Sequence, residues 1–92
     1  MMKARAHIIV SGNVHGVFFR SSTRSMASLM GLKGWVRNTS DGRVEAVFEG
    51  DKEDILKIIE FCSRGPPGAH VDDMSVEWED YKGKFSGFEI RY

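Results

Sequence analysis

The 92-residue sequence predicts an α+β sandwich of the split βαβ kind, two helices packed on one face of a four- to five-stranded antiparallel sheet. Three observations predict it. Apolar residues recur at alternating and then helical spacing in the order strand, helix, strand, strand, helix, strand, with a short extra strand at the end. Glycine or Gly-Pro-Pro-Gly stops follow both helical stretches. The length, with 41% hydrophobic residues, suffices for one core that buries roughly two thirds of the chain's surface and for no second lobe, so a single domain over residues 1–92 is expected.

Residues 6–11, Ala-His-Ile-Ile-Val-Ser, read as a buried strand, short, β-branched and bounded by Gly12. In the next stretch Thr23, Met26, Ala27 and Met30 share a helical face, Ser21 or Ser22 is the expected cap, and Gly31-Leu32 is the expected stop. Residues 34–38, Gly-Trp-Val-Arg-Asn, form a second strand. Thr39-Ser40-Asp41-Gly42 is a turn, and Val44, Ala46 and Phe48 alternate on a third strand, which makes the pair a hairpin. Asp51 is the predicted N-cap of a second helix, with Glu53 and Asp54 in its positive first turn and Ile55, Ile58, Ile59 and Cys62 as its apolar stripe. After Gly65-Pro66-Pro67-Gly68, Met74, Val76 and Trp78 alternate on a fourth strand, Gly83 lies in a polar loop, and Phe88, Ile90 and Tyr92 suggest a fifth. This order is the ferredoxin-like βαββαβ arrangement, with the first and second strands parallel and the third antiparallel between them.

Composition narrows the function classes. No apolar run approaches a membrane-helix length, and Met1–Arg5 leads into a strand rather than a signal-peptide core, so no membrane partner and a cytoplasmic location are expected. The lone Cys62 forms no intrachain disulfide, in keeping with a reducing compartment. His7, His15 and His70 lie on three different elements without ligand spacing, so neither metal nor cofactor is expected. A net charge of zero argues against a nucleic-acid surface, although residues 1–40 carry Lys3, Arg5, Arg20, Arg24, Lys33 and Arg37 and no carboxylate. The expected species is a monomer.

Between the first strand and the first helix runs Gly12-Asn13-Val14-His15-Gly16-Val17-Phe18-Phe19-Arg20. Glycines let backbone N–H groups turn inward, a helix start adds its positive end, and arginine offers a planar fork to phosphate oxygens. The run is a candidate anion cradle. The predicted topology brings it to the same sheet edge as Asn38, two inter-strand spacings or about 10 Å away. Phe18 and Phe19 are expected to diverge, one packing inward and the other lining the mouth. Thr23 is either a hydrogen-bonding buttress of the loop or a plain helix-face threonine, and Gly12 is a candidate support.

These residues resemble the acylphosphatase family. Its pattern Gly-x-Val-Gln-Gly-Val-x-Phe-Arg is matched from Gly12 to Arg20 with one departure, His15 for glutamine. Gly31-Leu32-x-Gly34-Trp35-Val36-Arg37-Asn38, Asp41-Gly42-x-Val44-Glu45, Cys62-x-x-Gly65-Pro66-Pro67 and Phe88-x-Ile90-x-Tyr92 are similar in the same order. The resemblance implies hydrolysis of acyl phosphates, with acyl phosphate and inorganic phosphate as the small-molecule partners. It implies phosphate held by the backbone of Asn13, Val14, His15, Gly16, Val17, Phe18 and Phe19 and by Arg20, and an attacking water held by Asn38. Two other readings stay open on the same fold. One is a non-catalytic accessory domain that binds phosphate or acyl phosphate. The other is an RNA-binding module, which the acidic Glu45 and Glu49 on the outward side of the third strand disfavour.

Overall fold

The computed structural model describes residues 2–92. Seven elements follow one another: β1 (Lys3–Asn13), α1 (Phe19–Leu29), β2 (Lys33–Asn38), β3 (Val44–Asp51), α2 (Lys52–Arg64), β4 (His70–Glu79) and β5 (Phe88–Arg91). The sheet order is β4-β1-β3-β2-β5. β3 is antiparallel to both β1 and β2, so those two strands are parallel across it, as the sequence predicts.

The sheet is mixed, which corrects the expectation of a purely antiparallel one. β5 pairs parallel with β2, Val36 opposite Ile90 and Arg37 opposite Arg91. The reason lies in the β4–β5 connection, residues 80–87. It must cross from one sheet edge to the other, four spacings or about 19 Å. Eight extended residues reach at most about 27 Å, most of which the crossing itself uses. β5 therefore starts at the edge where β4 leaves and runs the same way as β2.

Alternation buries Ala6, Ile8 and Val10 of β1, Val36 of β2 and Val44, Ala46 and Phe48 of β3 against Phe19, Thr23 and Ala27 of α1 and Ile55, Ile58 and Cys62 of α2. Phe48 stacks on Phe88 at 5.4 Å. The valine, isoleucine and phenylalanine side chains among them each contribute about 1.5–3 kcal/mol by leaving water. α1 ends as expected: Leu32 N–H donates to Ala27 O and Gly31 N–H to Ser28 O, the paired bonds of a glycine-terminated helix. α2 is capped by Asp51, which accepts from Glu53 N–H at 3.3 Å.

The start of α1 differs from expectation. Neither Ser21 nor Ser22 is the cap. The helix begins at Phe19, its N-cap is Phe18, and no side chain caps it. Ser21 Oγ instead donates to the Phe18 carbonyl at 3.2 Å.

On the sheet face away from the helices, loop 80–87 folds over Glu49 and leaves it only 2% exposed. Its carboxylate accepts from Lys82 N–H (2.9 Å), Gly83 N–H (3.1 Å) and Arg5 Nη1 (3.1 Å). Burial alone would raise its pKa, but these donors together hold it below the ordinary 4.5. A depressed folded pKa gives stability that is present above 4.5 and lost as pH falls through the lower folded value. Glu49→Gln should therefore cost about 1–3 kcal/mol at pH 7. In denaturation series from pH 7 downward, the variant should lose less stability than the parent below pH 4.5, so that the two converge. A constant gap at all pH values would refute the anchoring role.

Candidate active site

β1 carries the chain to Gly12 and then releases it from the sheet. A register shift separates Ser11 and Gly12 in the pairing with β4. A Cβ at Gly12 would lie 2.1 Å from the His70 carbonyl oxygen, so only glycine lets the two backbones approach this closely. Gly12 thus aims the loop rather than lining it. Beyond it, φ is positive at Gly16 (69°), negative at Val17 and positive again at Phe18 (60°). Alternating handedness of this kind turns successive N–H groups toward one side of the chain. Among the described residues, no protein acceptor takes the backbone N–H groups from Val14 to Phe18. The first N–H groups of α1 follow without a cap and add the helix's positive end.

The loop opens onto a cleft of ≈ 310 Å³ lined by Val14, Gly16, Phe18, Phe19, Arg20, Ser21, Asn38, Ile90 and Tyr92. Strand register explains how these distant residues meet. Val44 of β3 faces Val10 on one side and Asn38 on the other, so Asn38 is level with the end of β1 from which the loop departs. Continuing the pairing of Arg37 with Arg91 by one residue brings Tyr92 level with Asn38.

Arg20 is half-buried in the first turn of α1, which holds no acidic residue. Among the described residues no carboxylate lies within salt-bridge reach of it, whereas Arg5, Arg37 and Arg43 are all paired. Its guanidinium instead lies 5.2 Å from the centroid of the Tyr92 ring. A cation at a helix N-terminus is unfavourable by itself, and an anion in the cleft would relieve that. Of the other basic residues in the acid-free first 40, none lines the cleft.

The two phenylalanines diverge as expected. Phe19 is buried in the core beneath the loop, while Phe18 is 81% exposed at the cleft mouth. Val14 is buried yet reaches the cleft wall, and Val17 packs against the core. The side chains of Asn13, His15 and Val17 are not part of the wall. Thr23 faces away from the loop: its hydroxyl meets Cys62 Sγ at 3.9 Å between the helices. Cys62 is fully buried, and burial pushes its thiol up to about 12, so it offers no thiolate nucleophile. Ser21, Ile90 and Tyr92 are wall residues that sequence reasoning missed. The alternation Phe88, Ile90, Tyr92 was the available signal, but it points to this cleft only once β5 runs parallel to β2.

His15 ties the loop to the hairpin. Its Nε2–H donates to the Arg43 carbonyl at 2.8 Å. That carbonyl also accepts from Thr39 N–H at 2.8 Å, and Arg43 N–H donates back to Thr39 Oγ1 at 2.9 Å. Thr39 follows Asn38 directly, so one hydrogen-bond chain links the cradle to the strand end opposite. His15→Ala should lower stability by ~1 kcal/mol, a melting shift of about 4–8 °C at this size. His15→Gln keeps a donor of similar reach and should stay within about 0.5 kcal/mol of the parent. Equal melting temperatures for all three proteins would show that the bond contributes nothing.

Comparison with known proteins gives this geometry a family. The acylphosphatase family model matches residues 6–90. The acylphosphatase of Pelotomaculum thermopropionicum is 54% identical over 92 residues, the full length of both chains. That of Pyrobaculum calidifontis is 59% identical over 87 residues, 94% of this chain and 79% of the relative. The crystal structure of acylphosphatase from Bacillus subtilis superposes with a TM-score of 0.92 at 36% identity, covering 99% of this chain and 100% of that one. A loop, a strand end and a fold that converge in this way, together with matches that run along essentially the whole sequence, place the chain in the acylphosphatase family.

Proposed function

We propose that this chain hydrolyses acyl phosphates to a carboxylate and inorganic phosphate, with the phosphate lodged against the N–H groups of residues 13–20 and the Arg20 guanidinium, and the attacking water held by Asn38. The observation that carries the reading is the convergence of unpaired N–H groups, an unpaired arginine and a carboxamide on one cleft. Family membership supplies the reaction class, a hydrolase acting on acid anhydrides.

The chemistry needs little more than these groups. An acyl phosphate expels a carboxylate whose conjugate acid has a pKa of roughly 4, so no general acid is required. Phosphoryl transfer depends on positioning and on charge stabilisation at the equatorial oxygens. The inward N–H groups and the arginine fork meet the second need. Asn38 meets the first: its neutral amide oxygen accepts from water and leaves the oxygen lone pair facing phosphorus. The water oxygen bonds to phosphorus, the bond from phosphorus to the acyl oxygen breaks, and its electron pair leaves with the carboxylate. A phosphate oxygen takes the water proton. An accessory domain that only bound phosphate would leave Asn38 at the cleft without a task.

Glu45 and Glu49 are engaged by Arg37, His7 and Arg5 on the open sheet face, an arrangement that does not suit nucleic acid. The lone, buried Cys62 supports a reducing compartment, the cytoplasm.

The direct test is loss of acetyl phosphate or benzoyl phosphate in the presence of the purified protein, without added metal. Hydrolysis well above the spontaneous rate is expected, and its absence would overturn the proposal. Arg20→Ala should abolish both turnover and inhibition by inorganic phosphate. Arg20→Lys should fail nearly as badly, because an ammonium does not reproduce the bidentate fork. Asn38→Ala should retain phosphate inhibition within a few-fold while losing about 100- to 1,000-fold in kcat. An asparagine variant that kept most of its rate would remove the water-holding role.

A further inference from the structure

The cleft has two kinds of lining. Arg20, Ser21, Asn38 and the loop N–H groups supply polar groups, while Phe18, Ile90 and Tyr92 supply apolar and aromatic surface, the Tyr92 ring lying 5.2 Å from the Arg20 guanidinium. At ≈ 310 Å³ the space exceeds what a phosphate occupies and reaches the small end of ordinary ligand sites.

Phe18 is the unusual member. It is the chain's non-glycine residue at positive φ among the described residues, held in the left-handed region at 60°, 26°. A bulky side chain is strained there, and glycine or asparagine would sit more easily. The same backbone twist that turns the Phe18 N–H toward the cradle points its ring out, where it stays 81% exposed at the rim of the cleft that Ile90 and Tyr92 also line. A strained, solvent-facing aromatic ring on the wall of an anion cleft has nothing in the protein to pack on. An apolar group carried by the anion would supply that partner.

We infer that Phe18, which lines the same cleft as Ile90 and Tyr92, is the acyl-group selector of this site, favouring acyl phosphates whose acyl carbon bears a ring or a branched apolar chain over acetyl phosphate. The inference rests on the proposed hydrolysis. A flat aromatic acyl group covers the exposed Phe18 ring and keeps its phosphate on Arg20. The Phe18 N–H belongs to the cradle and is kept by any substitution except proline, so the side chain is separable from the backbone role.

The test compares kcat/KM for benzoyl phosphate and acetyl phosphate in the parent, Phe18→Asn and Phe18→Tyr, with inorganic phosphate inhibition measured alongside. Asparagine tolerates the left-handed backbone and removes the ring, whereas tyrosine keeps it. The benzoyl-to-acetyl ratio should exceed one in the parent, fall about tenfold in Phe18→Asn and stay within about twofold in Phe18→Tyr, because aromatic contact and buried area act on the benzoyl arm alone. Ile90→Thr should lower the same ratio in the same direction. A ratio unchanged in Phe18→Asn, or equally reduced in Phe18→Tyr, would overturn the selector role while leaving hydrolysis intact. Hydrolysis of neither substrate by the parent would instead overturn the reaction itself.

Discussion

The cleft depends on β3 lying between β1 and β2 and pairing antiparallel with both. That single constraint gives β1 and β2 one direction and sets Val10 and Asn38 level on either side of Val44. The loop that leaves β1 and the amide that ends β2 are then neighbours by construction, about 10 Å apart at the strand level. Val44, Ala46 and Phe48 fill the core beneath, so a one-residue slip of β3 would turn them toward solvent and expel Asn38 from its place. Core packing and site geometry are thus held by the same register. What stabilises the fold also positions the chemistry.

The other wall is assembled from the far side of the sheet. Glu49 holds the crossing loop at Lys82 and Gly83, Gly34 N–H donates to Gly87 O at 3.0 Å, and Phe88 stacks on Phe48. These contacts deliver β5 to the edge of β2 running toward the cleft, and Tyr92 reaches Arg20 as a result. A carboxylate buried on one face of the sheet therefore governs what lines a cleft at its end. The coupling is geometric: Glu49 touches nothing in the cleft itself.

Most of the fold was legible because its elements carry clean periods. β1 was read short, as residues 6–11, because its ends are polar: Lys3 and Arg5 face the outer side of the sheet, and Gly12 and Asn13 continue the pairing with β4 past the bulge. The start of α1 was misplaced for a more instructive reason. Capping rules look for a serine whose oxygen takes up the first N–H groups. Phe18 offers no oxygen, so those groups stay free, as the proposed anion site would need. Arg20 and Asn38 were reachable from topology, but Ile90 and Tyr92 were not, since nothing local in Phe88-x-Ile90-x-Tyr92 states which way the strand runs. The acid-free first 40 residues were a poor guide. Arg5 and Arg37 are neutralised by Glu49, Glu79 and Glu45, which come from the second half of the chain. His15 departs from the family's glutamine, and its imidazole N–H ties the loop to the hairpin by donating to the Arg43 carbonyl.

Three features of the cleft are each unfavourable in isolation: N–H groups without protein acceptors, a left-handed phenylalanine, and a cation at the positive end of a helix. Each costs on the order of a kcal/mol. On the proposed function, one bound phosphate would answer the first and third together, and the second is the backbone conformation that would direct the N–H groups at it. The core offsets the cost in the empty state, and substrate binding recovers part of it. A site with the proposed function needs no buried acid, because its leaving group would already be a stable anion, and no thiolate, because the nucleophile would be water. Its power lies in donors that are fixed before the substrate arrives, so little reorganisation remains for the transition state. The His15 bond to the hairpin and the Gly12 approach to β4 matter for the same reason: they hold an uncapped, strained loop still.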